Sequence, residues 1–353
     1  VKAREFRADA VRSILVMRLY FLGDVLLSTP VIEALKRRFP DASLSLLIKK
    51  RAREIVTNNP FVDELIEYDA VERYHGPRWA ARLALDLRRR RFDLAVDLTG
   101  DVRTSWLLLA IEPRYRVGFN HVGLGFLLDR AIPYRATGHG VDHLLAAVGP
   151  LGAVLEDPVP RMYLTGDERV AARALLAELR LSGGRGFLGL APGANWAFRR
   201  WPPARFGELA ARAHAELGLS SVVTGSRADS ELVGEVVAAS AGSALSLAGR
   251  LSVREFAAVA AEARAVVAND SGPLHIAASV GTPVVGLFGP NTPEIYGPRG
   301  APSRIVWGRP PCSPCRQKRC ARPDDPCMAS ITVDEVFEAL RSLLSSGRLP
   351  GAT

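Results

Sequence analysis

What this chain of 353 residues lacks narrows it first. Lysine is scarce: Lys2, Lys36, Lys49, Lys50 and Lys318 are all there are among 46 Lys and Arg together. None of the five follows a glycine, so there is no Gly-Lys-Ser/Thr phosphate loop and a P-loop ATPase is excluded. No G-x-G-x-x-G opens the first helical pattern, which speaks against a nicotinamide dehydrogenase, and there is no H-E-x-x-H. No uncharged apolar run approaches a membrane span. The apolar start "SILVMRLYFLGDVLL" is broken by Arg18 and Asp24, and reads as strand, loop and helix rather than as a secretory signal. The expectation is a cytoplasmic protein, in peripheral contact with a membrane at most. Cysteine is missing until Cys312, so no disulfide framework holds the whole chain.

What is present points to a large buried interior. Hydrophobic residues make up 48% of a chain long for one core, which favours two domains over one. The net charge of +9 favours anionic partners, whether nucleic acid, membrane surface or phosphorylated small molecules. The excess of arginine suits bidentate contacts to phosphate or carboxylate, with genomic base composition as the plain alternative.

Short apolar runs alternate with longer helical patterns. Strands are expected at Ser13–Arg18, Leu44–Ile48, Leu65–Tyr68 and Leu94–Asp97, and again at Phe187–Ala191, Ser221–Thr224, Val266–Ala268 and Val284–Phe288. Helices are expected at Pro30–Phe39, Val170–Leu179, Ala204–Leu217, Ser230–Ala239, Ser252–Ala263 and Val333–Leu344. This alternation predicts an α/β protein with two parallel sheets, each covered by helices on both faces. Ser252–Glu255 and Thr332–Glu335 read as capping boxes. The arginine run of "LRRRRF", Leu87–Phe92, reads as the C-terminal end of a helix. A Pro- and Gly-rich stretch without period, Gly149–Asp167, marks the linker. Open α/β sheets bind at the carboxyl ends of their strands, so a ligand is expected in a cleft between the two domains.

Three motifs sit where strands end. Asp270-Ser271-Gly272-Pro273 follows a strand and opens a helix carrying His275. A helix start offers free N–H groups and a positive dipole end to an anion; Gly272 admits it to the backbone and Ser271 adds a hydroxyl. The competing reading is a plain N-cap over a buried helix, with His275 in the core. "APGANWAFRRWP", with Gly193, Asn195 and Arg199, places two arginines in a Gly-containing loop after a strand; a diphosphate or a solvated loop would both account for it. Phe21-Leu22-Gly23-Asp24 puts a carboxylate at the mouth of the first domain, as a functional group or a helix cap.

Taken together, "MRLYFLGDVLLSTPVIEALKRRFP", "LAPGANWAFRRWP" and "LAGRLSVREFAAVAAEARAVVANDSGPLHIAASVGTPVVGLFGPNTP" resemble the ADP-heptose:lipopolysaccharide heptosyltransferases of glycosyltransferase family nine, over about Ser13 to Leu344. The blocks "NDSGPLHIAA" and "FGPNTP" are most similar to the second heptosyltransferase of the inner core. The resemblance implies a GT-B fold of two Rossmann-like domains: an acceptor-binding domain over residues 1–160, a nucleotide-sugar domain over 161–330, and a C-terminal helix over 331–353 packing back towards the first. It implies inverting, metal-independent transfer of L-glycero-D-manno-heptose from ADP to a sugar hydroxyl, with heptose I of a lipid A-Kdo-heptose acceptor as the expected target. Carried over by position, Asp24 is the general base. Gly193, Asn195, Arg199, Leu251, Asp270, Ser271, Gly272 and His275 are donor-side residues, with Arg199 standing where the family has a phosphate-binding lysine. Arg18, Arg103 and Arg116 would face the acidic acceptor. Arg227 stands near a ribose-binding glutamate of some members, and no ribose contact is assigned.

No catalytic cofactor is implied, and nucleic acid is not an expected partner. Contact with the cytoplasmic face of the inner membrane follows from a lipid acceptor. Cys312, Cys315, Cys320 and Cys327 could hold a structural Zn or Fe, with free thiols or local disulfides as the alternative. Two other functions remain open on sequence: a sugar-nucleotide epimerase of similar architecture, and a non-enzymatic basic protein that binds nucleic acid or acidic lipid.

Overall fold

The computed structural model describes residues 6–68, 77–120, 123–133, 138–181, 186–313, 315, 319–324 and 326–346. Contacts divide the chain into two compact units, Val1–Arg161 and Met162–Thr353.

The sheet of the first unit contains β1 (Ser13–Arg18), β2 (Ser43–Lys49), β3 (Glu64–Tyr68), β4 (Leu94–Asp97), β5 (Tyr115–Phe119) and β6 (Arg130–Ile132). Its order is β3-β2-β1-β4-β5-β6, and every neighbouring pair is parallel. The second unit contains β7 (Phe187–Ala191), β8 (Ser220–Val223), β9 (Ala244–Ser246), β10 (Ala265–Asn269), β11 (Val284–Phe288) and β12 (Ser303–Trp307). Its order, β12-β11-β10-β7-β8-β9, is the same topology read from the other edge, again all parallel. In both sheets the order reverses once, between β1 and β4 and between β7 and β10. Such switch points open a crevice at the carboxyl ends of the strands, where doubly wound sheets take ligands.

Helices on both faces explain the continuous apolar runs of the central strands, since neither side meets water. Ile14, Leu15, Val16 and Met17 of β1 are all fully buried. Alternation appears only in which core each residue enters. Ala265 and Val267 of β10 join Leu188, Leu190, Val285 and Leu287, while Val266 and Ala268 join Phe187, Val284 and Phe288.

Local signals set the helix ends. Ser252 Oγ accepts from Glu255 N at 3.2 Å, and Glu255 Oε2 accepts from Ser252 N at 2.7 Å. Thr332 and Glu335 cap each other in the same way. Helix Pro77–Arg89 ends with Arg88 and Arg89 in its last turn, where cations meet its partial negative charge.

The last helix, Val333–Ser346, packs inside the second unit, against helix Pro203–Leu217 and strands β10, β11 and β12. Its apolar stripe (Val336, Phe337, Leu340, Leu343) enters the core that holds Trp201 and Phe206. Trp201 Nε1 fixes its approach by donating to Ile331 O at 3.0 Å. Among the described residues, no helix is long and apolar enough to cross a membrane.

Candidate functional site

At the switch point of the second unit, Ala191 and Ala268 are register partners, so the loops leaving β7 and β10 begin side by side. Asn269 ties them together. Its Nδ2 donates to Pro192 O at 2.7 Å, and its Oδ1 accepts from Trp201 N at 3.0 Å. Asp270 follows, also buried. Asn291 Nδ2 donates to its Oδ2 at 2.5 Å, and Arg199 Nη1 lies 3.4 Å from the same oxygen. Arg199 also donates to Asp270 O at 3.4 Å. Burial pushes the Asp270 carboxyl above the usual carboxylate range, and Arg199 and Asn291 pull it back.

The plain N-cap reading of this motif does not describe what is built. Ser271 occupies the N-cap position of helix Gly272–Ser279, yet no side chain caps that helix. The Ser271 hydroxyl instead donates to Gly193 O at 3.2 Å, bridging the two exit loops. A Cβ placed on Gly272 would meet nothing within 4 Å, so the helix start borders open space. His275 lies one turn in and is buried. Of the two loop arginines, Arg200 braces the loop through Nε to Ala194 O at 2.9 Å, which leaves Arg199 to face Asp270. Asn195 is exposed on the same loop. The exits of β8 and β9 are joined by Gly249 N donating to Gly225 O at 2.9 Å, and half-buried Leu251 packs just beyond against the core. Together these residues set one held cation, Arg199, beside a helix start that no side chain caps, an arrangement with the chemistry to receive an anion.

In the first unit, Arg18 ends β1 and Asp24 lies in the first turn of helix Leu22–Leu27. Arg18 Nε donates to Asp24 O at 3.3 Å, Nη2 lies 3.5 Å from Asp24 Oδ1, and Nη1 donates to Leu98 O in the loop after β4. Arg103, exposed, pairs with Asp101 at 2.5 Å. Two cations that the sequence reading did not single out share this rim. Lys49 ends β2, and burial, with Arg51 and Arg103 close by, holds its ammonium below the usual lysine range. Arg51 lies over the exposed ring of Phe21, 4.6 Å from its centre. The reading also missed Asp97, the last residue of β4. It is completely buried and pushed up to about 6 by that burial, although Thr99 N and Gly100 N donate to its Oδ1 at 2.8 and 3.1 Å.

Arg116 is corrected by the structure. It is the second residue of β5, whose register partner Gly118 stands opposite Asp97 at the carboxyl end. Two residues back is roughly 7 Å from that end. Its guanidinium is buried against Asp129, Nε to Oδ2 at 3.1 Å, and its own N–H donates to the same carboxylate at 3.0 Å. This is a core ion pair and not part of the rim.

The four cysteines lie together. Cys312, Cys315, Cys320 and Cys327 are free thiols that line one small cavity with Phe198 and Pro290. Burial and the neighbouring sulfurs push Cys327 up to about 11, so it favours the thiol form. Among the described residues, no group of three His, Cys, Asp or Glu side chains is disposed to hold a metal ion.

The chain thus folds as two doubly wound units of parallel sheet. The structure superposes on a family 9 glycosyltransferase from Veillonella parvula with a TM-score of 0.84, at 24% identity, covering 95% of this chain and 98% of that one. It superposes on Escherichia coli ADP-heptose lipopolysaccharide heptosyltransferase II with a TM-score of 0.76, at 24% identity over 94% and 98%. These establish the GT-B fold. Lipopolysaccharide heptosyltransferase 2 of Salmonella typhimurium is 28% identical over 94% of this chain and 98% of its own length. Lipopolysaccharide heptosyltransferase 1 of Pseudomonas aeruginosa is 28% identical over 87% of each. The family model of glycosyltransferase family 9 (heptosyltransferase) matches residues 80–324, and the chain belongs to that family. It is therefore a glycosyltransferase, which sets aside the epimerase and the non-enzymatic binder.

Proposed function

We propose that this enzyme transfers L-glycero-D-manno-heptose from ADP-heptose to heptose I of the lipopolysaccharide inner core, with inversion at the anomeric carbon and without a catalytic metal. One observation carries the reading: buried Asp270 holds Arg199 beside the uncapped start of helix Gly272–Ser279. As the glycosidic bond to the diphosphate breaks, negative charge grows on the leaving ADP. A preset guanidinium and helix N–H groups stabilise that charge without reorganising. Gly193, Asn195, Ser271 and His275 would line the donor, and Leu251 would meet its adenine. The acceptor hydroxyl must lose a proton as it attacks, and Asp24, with its partly exposed carboxylate, would take it. Lys49, Arg51 and Arg103 would draw the acidic acceptor to that rim, on a lipid presented at the cytoplasmic face of the inner membrane.

The test is an assay of purified enzyme with ADP-heptose against core acceptors truncated sugar by sugar, with the product anomer read by NMR. Transfer to an acceptor ending in heptose I, with inverted configuration and undiminished in EDTA, is expected. Transfer only to an acceptor ending in Kdo would move the enzyme to the preceding step, and retained configuration would remove the single-displacement mechanism. Acceptor Michaelis constants should rise with salt while kcat stays nearly constant; indifference to salt would point to a neutral acceptor.

A further inference from the structure

The sequence grouped Arg18 with residues that bind the acceptor, but its surroundings give it different work. It is buried, and its guanidinium is spent on the protein: Nε on Asp24 O at 3.3 Å, Nη1 on Leu98 O, and Nη2 towards Asp24 Oδ1 at 3.5 Å. The flat cation also lies over the Tyr20 ring, 4.6 Å from its centre. The turn that receives Nη1 is itself fixed. Asp97 Oδ1 accepts from Thr99 N and Gly100 N, and Thr99 Oγ1 accepts from Leu19 N at 2.9 Å. The exits of β1 and β4 are thus tied twice, through Arg18 and through Leu19–Thr99. The helix that carries Asp24 has only six residues, and no side chain caps its start. An isolated helix of that length is unstable in water, so its orientation has to come from tertiary bonds such as these.

We infer that Arg18 is a positioning residue for Asp24 and not a ligand of the acceptor. The planar fork reaches a backbone carbonyl of the Asp24 helix, one of the loop after β4, and the carboxylate at once, so it sets where the carboxylate points. Lysine would keep the charge and lose that geometry. The inference rests on Asp24 being the proton acceptor, and the experiment separates the two claims.

Arg18→Gln, Arg18→Lys, Asp24→Asn and the Arg18→Gln/Asp24→Asn double variant are compared for kcat and acceptor KM at saturating donor, with ADP titration and thermal unfolding as checks on folding. A misplaced reacting group costs on the order of 10²-fold. The expected result is kcat lowered about 10- to 100-fold in Arg18→Gln, with acceptor KM within about threefold, and partial recovery in Arg18→Lys. The double variant should be no slower than Asp24→Asn alone, because a residue acting through Asp24 has nothing left to act on. Raised acceptor KM with kcat kept, or losses that multiply in the double variant, would overturn the inference. Near-normal turnover in Asp24→Asn would instead remove the base assignment on which it rests. If Arg18→Gln fails to fold, Arg18→Lys carries the same split between kcat and KM.

Discussion

The two switch points share a topology and an ion pair of nearly the same length, yet the pairs are reversed. In the first unit the Arg18–Asp24 pair spans 3.5 Å, with the arginine side chain 11% exposed and the aspartate 36%. In the second, Arg199–Asp270 spans 3.4 Å, with the arginine 23% exposed and the aspartate 4%. One site buries its cation and offers a carboxylate; the other buries its carboxylate and offers a cation. A glycosyl transfer needs both offerings, a proton acceptor for the nucleophile and a positive charge for the leaving diphosphate. The buried partner in each case holds the exposed one in place. A third pair, Arg116–Asp129, has side chains only 9% and 0% exposed and offers nothing to a ligand. Exposure, more than the presence of an ion pair, separates a group that can meet a ligand from one that cannot.

The comparison is broken most severely by removing the exposed carboxylate. Asp24→Asn should lower turnover by about 10²-fold or more, with ADP affinity unchanged by calorimetry. Normal turnover would leave the first switch point without its assigned role. The next largest effect is on stability. Arg116→Ala leaves Asp129 buried without its charge partner, which should cost about 3–5 kcal/mol in denaturant unfolding. Acceptor KM should not move. Replacing both partners by apolar residues of similar volume should recover most of that loss. A raised acceptor KM in a variant of normal stability would return Arg116 to the acceptor rim.

Arg199→Ala tests the other half of the reversal. Loss of a charge-assisted contact to the diphosphate should weaken ADP binding by about 1.5–3 kcal/mol. Asp270→Asn should weaken it less, because Arg199 remains but is no longer held. Unchanged ADP affinity in Arg199→Ala would mean that the loop after β7 does not receive the diphosphate.

The sequence revealed the frame and the offered groups more readily than their partners. The central strands β1, β2, β4, β7, β8, β10 and β11, together with β3, were visible because strands buried on both faces are continuous apolar runs. Strand β5 was hidden by Arg116 and Gly118, β12 by its half-buried composition, and β6 and β9 by a length of three residues each. Asp24, Arg199, Asp270 and Ser271 could be placed in the segments that follow strands, and they lie there. Arg116 could not be read correctly, because its partner Asp129 meets it through the β5–β6 pairing, and neither strand had been recognised. Asn291 was passed over as part of "FGPNTP", though its amide holds Asp270. Asp97 was absorbed as the last residue of an apolar strand, and only the folded sheet gives its burial.

Asp97 provides the smallest and most discriminating of these effects. It is raised from the model-peptide value of 3.8 to about 6, chiefly because its burial penalises the charged form; Asp101 nearby adds to the rise, while Thr104, Gly100 and Thr99 oppose it. The strands beside Asp97 contribute Met17 and Gly118 at its register, and neither titrates. A carboxyl whose folded pKa is raised favours folding while protonated. That contribution is complete below about pH 4 and is lost as pH rises through about 6. At neutral pH the ionised group therefore weighs against the fold, by on the order of 3 kcal/mol for a displacement of about two pKa units. In Asp97→Asn the amide oxygen can still accept from Thr99 N and Gly100 N, while its buried N–H₂ gives back part of the gain. The net expectation is a variant about 1–2 kcal/mol more stable than the parent at pH 7–8, with the advantage vanishing between about pH 6 and pH 4. Urea unfolding across that range measures it. A variant less stable than the parent at every pH would mean that the turn needs the carboxylate itself, and that its bonds to Thr99 and Gly100 outweigh the cost of burying its charge.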